Sequence, residues 1–176
     1  MRMKNYLTID IGRNWLRYAL ISEEIDVYKT GKEELNSFTS REDLFTTIKK
    51  ITDSFSSRTD SLAITMPGII DTDSGMAYSA GIYRFIRNEP LAKEISEYTG
   101  MKTIILNDAK AAALAEVGYG SLKGVHTGVM LMILGTGIGG AVIHDGKIFN
   151  GAHFGAGEFS YLTDSTQRAA DNSDMF

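Results

Sequence analysis

Residues 106–116 read LNDAKAAALAE and residues 134–151 read LGTGIGGAVIHDGKIFNG; how these two stretches punctuate the chain decides its fold class. In the first, a short apolar strand (Lys102–Leu106) runs into an alanine-rich helix, Asp108–Val117, which Gly118 and Gly120 stop. In the second, apolar strands Thr127–Leu134 and Ile138–His144 are joined by Gly135, Thr136 and Gly137, and Asp145–Gly146 is a hairpin signal before a short return strand, Lys147–Phe149. Gly135–Gly140 (GTGIGG) formally matches G-x-G-x-x-G, but that dinucleotide signature requires a helix after the glycines. Here AVIHDGKIF reads as strand, turn and strand, so a dinucleotide-binding turn is excluded.

Toward the N-terminus, Asn5–Asp10, Trp15–Ile21 and Ile25–Thr30 read as three strands with turns near Gly12 and Ser22–Glu24. Ser40 is placed to cap a helix over Glu42–Phe55, with Asp43 three residues on and Leu44, Phe45, Ile48, Ile51 and Phe55 on one face. Ser61–Thr65 is a further strand closed by Pro67–Gly68, and Ile69–Asp71 with Met76–Tyr78 suits a small hairpin around Asp73–Gly75. Pro90 fits the first turn of another helix, which Gly100 ends. The order β-β-β-α-β-α-β-α predicts an α/β architecture with a mixed sheet and helices on its faces. The pattern changes after Lys123, so the expected division is 1–122 and 123–176. From Leu162 onward the sequence turns polar.

The composition, 43% hydrophobic and 23% charged over 176 residues, is that of a soluble globular protein. A net charge of −4 without a basic cluster argues against nucleic acid or an anionic membrane as partner. No apolar run approaches the roughly 20 residues that span a bilayer, and MRMKNYLTIDIG lacks a signal-peptide core; a cytoplasmic protein is expected. The absence of cysteine excludes a disulfide framework, a thiolate zinc site and a cysteine nucleophile.

Four places carry residues able to do chemistry. Asp10, at the end of a buried strand before Gly12, suits a hydrated Mg²⁺ ion, which binds through one or two carboxylates and keeps several waters; it equally suits a turn-stabilising aspartate. Asn107 and Asp108 stand where strand becomes helix, so either could be the N-cap, while the Asp108 carboxylate could instead act as a general base. The glycines of 135–140 can offer backbone N–H groups to phosphate oxygens; Gly139–Gly140 within a strand has no evident packing purpose. Glu158, among the glycines of Gly151–Tyr161, is either presented by an ordered loop or simply solvated.

In their order and spacing, IDIGRNWLRYAL, ITMPGIID, LNDAKAAALAE, LGTGIGGAVIHDGKIFNG and GAGEFSY resemble the ROK family (repressors, open reading frames and kinases) of the actin-like ATPase superfamily. The resemblance implies the N-terminal lobe of an actin-like (ribonuclease H-like) fold plus the first β-hairpin of an incomplete second lobe. It implies phosphoryl transfer from ATP to a hexose or related sugar, with a catalytically inactive sugar-binding or regulatory module as the alternative. Asp108 would be the general base; Asn107, Glu158 and Tyr161 would contact sugar. Asp10, Gly12 and Arg13 would form a first phosphate loop, with Asp10 holding Mg²⁺ through water. Gly135, Thr136, Gly137, Gly139 and Gly140 would form the second. Two departures stand out. The family's D-x-G-G-T is Asp10, Ile11, Gly12, Arg13, Asn14, which sets a large cation where phosphate approaches. Its G-E-x-G-H is Gly157, Glu158, Phe159, Ser160, Tyr161, where Tyr161 replaces a histidine that binds sugar and, in many members, zinc. No zinc site is expected in this chain. Family members are about twice this long, two domains of ordinary size. The isolated chain is therefore expected to be inactive, and its second lobe to need a covering partner or a second copy, as in a dimer.

Overall fold

The computed structural model describes residues 3–35, 40–125, 129–134 (main chain only) and 138–159. The chain divides into two compact units, Met1–Leu106 and Asn107–Phe176, so the alanine-rich helix groups with the glycine-rich hairpin, earlier than the change in composition after Lys123.

The first unit is built on a five-stranded sheet of order β3-β2-β1-β4-β7. Strands β1 (Asn5–Ile11), β2 (Trp15–Ser22) and β3 (Val27–Glu34) form an antiparallel meander, and β4 (Ser61–Met66) lies parallel to β1, so the sheet is mixed as predicted. The parallel pair sets Ile9 beside Ile64 and Asp10 beside Thr65. Alternation does the rest: Leu7, Ile9 and Ile11 of β1 and Leu62, Ile64 and Met66 of β4 are buried, while Thr8, Asp10, Ala63 and Thr65 between them are half-exposed. The buried face packs against α1 (Arg41–Asp53), through Leu44, Phe45, Ile48 and Ile51, and against α2 (Leu91–Thr99), through Leu91 and Ile95, in one core. β7 (Thr103–Asn107) closes one edge. The other edge, β3, is mostly exposed and carries Lys29, Lys32, Glu33 and Glu34, charges that discourage pairing with another chain. It runs further than the Ile25–Thr30 expected, because Gly31 opposes Tyr18 and a Cβ there would lie 2.2 Å from the ring; the aromatic covers the glycine and extends the pairing.

The local signals are used as the chemistry requires. Ser40 caps α1, its Oγ accepting from Asp43 N at 3.2 Å while its hydroxyl donates to the Asp43 carboxylate at 2.7 Å. Gly100 ends α2 in the left-handed region, φ 77°. Pro90 takes the cap position of α2 rather than its first turn. The small hairpin is present as β5 (Ile70–Asp71) and β6 (Met76–Ala77).

The second unit contains α3 (Asp108–Tyr119) and a three-stranded antiparallel sheet of order β10-β9-β8, from β8 (Val129–Leu134), β9 (Ile138–His144) and β10 (Lys147–Phe149). The helix passes through Gly118 and stops only at Gly120. Asp145 and Gly146 both have positive φ, 50° and 71°, the type I′ geometry whose twist matches a two-residue hairpin. Gly139 does have a packing purpose, contrary to the sequence expectation: a Cβ there would sit 3.0 Å from the Ala109 Cβ, so the glycine lets α3 lie close on β9. Ala113, Ala141 and Ile143 form the small core beneath.

Candidate functional site

In the second unit the site begins with the change from strand to helix. Asn107, nearly buried, is the N-cap of α3: its φ and ψ (−62°, 138°) are extended and its Oδ1 accepts from Lys110 N at 3.0 Å. Asp108 is therefore the first helical residue, not the cap. Its Oδ1 accepts from Ala109 N at 2.8 Å, at the helix end where the macrodipole favours a negative charge.

Glu158 belongs to the loop that follows β10. That loop closes on itself through Ala156 N to Asn150 O (3.1 Å) and Glu158 N to Gly155 O (3.2 Å). Gly157, φ 89°, lies against β9 so closely that a Cβ would meet Ala141 Cα at 2.7 Å and Gly140 O at 2.8 Å. Gly140 thus has a neighbour in the Glu158 loop. The loop is ordered, and Glu158 is half-buried rather than simply solvated.

The residue that sequence reasoning missed here is Lys110. Its side chain is fully buried, and Nζ donates to Phe154 O at 2.7 Å and Asn150 Oδ1 at 3.1 Å. Burial pushes the Lys110 ammonium below its usual range, and the nearby Glu158 carboxylate pulls it partly back. Burial likewise raises Glu158 above its ordinary 4.5, with Lys110 opposing the rise and Asp108 adding to it. Desolvation wins for both groups. The sign for stability follows by linkage. Between pH 4.5 and the raised folded value, the unfolded chain ionises Glu158 before the folded one does, so folding stability falls as pH rises through that window. Urea midpoints measured from pH 4.5 upward should show this decline in the native chain and lose it in Glu158→Gln; identical slopes would contradict the assignment.

In the first unit Asp10 closes β1. Its Oδ1 accepts from Thr65 Oγ1 at 2.9 Å on the parallel neighbour, and its Oδ2 faces Arg17 Nη1 at 3.4 Å. The cation beside Asp10 is therefore Arg17, opposite it in the β1–β2 register, whereas Arg13 is exposed in the turn. Gly12 makes that turn, its N–H donating to Trp15 O at 3.0 Å, and its carbonyl accepts from the Tyr83 hydroxyl. Burial, with the negative Asp10 nearby, pushes Tyr83 up to about 12. Arg17, Thr65 and Tyr83 come to this loop by strand register and chain return, which no local motif announces.

Gly135, Thr136, Gly137 and Tyr161 lie outside the described residues. Among the described residues no group of three or more acidic, histidine or cysteine side chains could hold a metal ion, and no helix is long and apolar enough to cross a membrane.

Comparison with known proteins bears on this pattern directly. The family model described as ROK family matches residues 6–167. A glucokinase of Halalkalibacterium halodurans is 29% identical, the match covering 90% of this chain and 49% of the relative. A beta-glucoside kinase of Klebsiella pneumoniae is 30% identical, covering 87% of this chain and 50% of the relative. Among solved structures, a ROK family glucokinase from Streptomyces griseus in complex with glucose and AMPPNP superposes with a TM-score of 0.76 at 27% identity, covering 88% of this chain and 49% of that one. The chain spans about half the length of the curated relatives it matches, and its architecture is that of these actin-like α/β kinases. The chain belongs to the ROK family.

Proposed function

We propose that this chain carries the sugar-side machinery of an ATP-dependent sugar kinase whose acceptor is a hexose or related sugar. The observation that carries the reading lies in the second unit: the helix bearing Asp108 and the ordered loop bearing Glu158 are joined by hydrogen bonds from one buried lysine. In this reading residues 1–122 are the N-terminal actin-like lobe and 123–176 begin the second lobe.

Phosphoryl transfer needs little covalent chemistry from the protein; it needs a positioned hydroxyl, a proton acceptor and compensation for phosphate charge. Asp108 accepts the proton of the attacking sugar hydroxyl. Asn107, Glu158 and Tyr161 hold the sugar, and a carboxylate suits this task because it accepts from adjacent hydroxyls. The backbone N–H groups of Gly135, Thr136, Gly137, Gly139 and Gly140 receive phosphate oxygens, with Gly12 and Arg13 on the first loop. Asp10 fits Mg²⁺ held through water: its carboxylate is 43% exposed, and its Oδ1 accepts from Thr65. When bound, Mg²⁺ would neutralise charge on the ATP phosphates. The same reading gives the hairpin unit a covering partner, either a second copy or another chain, and a cytoplasmic location.

A second reading has its own observation. The Arg17 guanidinium lies 3.4 Å from Asp10 Oδ2, where it competes with a hydrated cation, and this favours a sugar-binding or regulatory module without turnover.

Calorimetric titration with hexoses and N-acetylhexosamines, beside a coupled ADP-release assay with ATP and Mg²⁺, decides between them. Sugar binding with sugar-dependent ADP release is the expected result for a kinase. Binding without release from the chain alone is the inactivity expected of half a kinase; binding without release when its second lobe is covered supports the second reading. Absence of both, with native circular dichroism, would overturn the proposal.

A further inference from the structure

Lys110 is 1% exposed and the bulkiest of the fully buried side chains among the described residues. An ammonium removed from water is costly unless it is hydrogen-bonded and compensated. A lysine that only filled space beneath α3 would be better replaced by methionine or leucine. Here the charge has specific partners. Nζ donates to Asn150 Oδ1 and to Phe154 O, groups 40 and 44 residues away along the chain, and both lie at or in the loop that ends at Glu158. Phe154 has φ 59°, a conformation uncommon for a side chain of its size, and Gly151 has φ 70°. The carbonyl that accepts from Lys110 thus belongs to an unusual stretch of backbone. Two residues before Lys110 stands Asp108, and the Lys110 N–H is the one capped by Asn107.

We propose that Lys110 is a positioning residue of the sugar site, its ammonium tying the first turn of α3, which carries Asp108, to the Asn150–Glu158 loop, which carries the sugar-binding carboxylate. The proposal rests on the functional reading above in assigning sugar to that carboxylate; the tether itself rests on the hydrogen bonds alone. The charged groups acting on Glu158 are Lys110 and Asp108 from α3, and the one acting on Lys110 is Glu158 from the loop. Removing the ammonium therefore does two things. It frees the loop, and it withdraws the positive charge that opposes the upward shift of Glu158.

The test compares native chain, Lys110→Met, Lys110→Arg and Asn150→Ala. Hydrogen–deuterium exchange of amides 151–158 and carbon-detected NMR titration of the Glu158 carboxyl are followed in each, and neither needs sugar. Lys110→Met is expected to raise exchange in 151–158 about ten- to a hundredfold, the loss of a hydrogen bond from a charged donor, and to move the Glu158 titration to higher pH. Lys110→Arg keeps the charge and should bring the titration back toward native. Asn150→Ala should raise loop exchange while leaving the titration close to native, and it serves as the tether variant if Lys110→Met does not fold. Sugar affinity should fall about tenfold or more in Lys110→Met. Unchanged loop exchange in Lys110→Met and Asn150→Ala overturns the tether. Increased exchange with an unmoved Glu158 titration reduces Lys110 to a structural anchor and overturns its positioning role. A native chain that binds no sugar, yet shows the expected exchange and titration, retains the tether and overturns the sugar assignment instead.

Discussion

In the chain completed by its covering partner, Asp108→Asn is expected to lose sugar-dependent ADP release by about 10²–10⁴-fold, the usual contribution of a positioned general base, while its stability and sugar affinity stay close to native. The separation is what makes the substitution informative. Asn107, not Asp108, caps α3, so the helix keeps its cap. The introduced carboxamide oxygen can still accept from the Ala109 N–H, which the native carboxylate of Asp108 receives at 2.8 Å. Losing one negative charge at a helix N-terminus costs about 0.3–1 kcal/mol. A carboxamide cannot accept the hydroxyl proton in the transition state, and there the loss is concentrated. Steady-state ADP release with calorimetry on the same preparation measures both sides. Turnover within a few-fold of native would remove Asp108 from the role of base, and a large fall in melting temperature would show that its role is architectural.

Replacing Gly157 with alanine should be strongly damaging to the second unit. At φ 89° any L-residue is strained, at about 1–3 kcal/mol. The added Cβ would then meet main-chain atoms of β9, Ala141 Cα at 2.7 Å, Gly140 O at 2.8 Å and Ala141 N at 3.0 Å. Backbone in the middle strand of a sheet cannot move aside as a side chain can, so the loop must lift, for a total cost of about 2–5 kcal/mol. Glu158, the next residue, moves with it. Lower urea midpoints, raised amide exchange over 151–158 and weakened sugar binding are expected together. Gly155→Ala is the control: nothing lies within 4 Å of a Cβ there and its φ is not in the left-handed region, so it should be neutral or slightly stabilising. Equal effects at the two positions would contradict the close approach.

Much of this molecule is legible along the chain, because the relevant physics is local. Strand alternation, the Ser40 cap, the Gly100 stop and the Asp145–Gly146 turn each depend on a few neighbouring residues, and the structure uses every one. The placement of Asn107 and Asp108 at the end of a strand and the start of a helix is of the same kind. The sequence marks the junction, but the choice of cap is made by the hydrogen bond from Lys110 N to Asn107. The tertiary structure decided matters of pairing and burial, which join residues far apart in the chain. Arg17 rather than Arg13 meets Asp10 because the β1–β2 register sets it opposite. Gly139 is small because α3 packs on its strand, a demand invisible along β9 itself. Lys110 looks in sequence like an exposed lysine in an alanine-rich helix. Its burial under a loop whose Asn150 lies 40 residues further on turns the same side chain into the link between Asp108 and Glu158. Composition and period fix what each segment can form; which charges lose water is settled only when distant segments close over them.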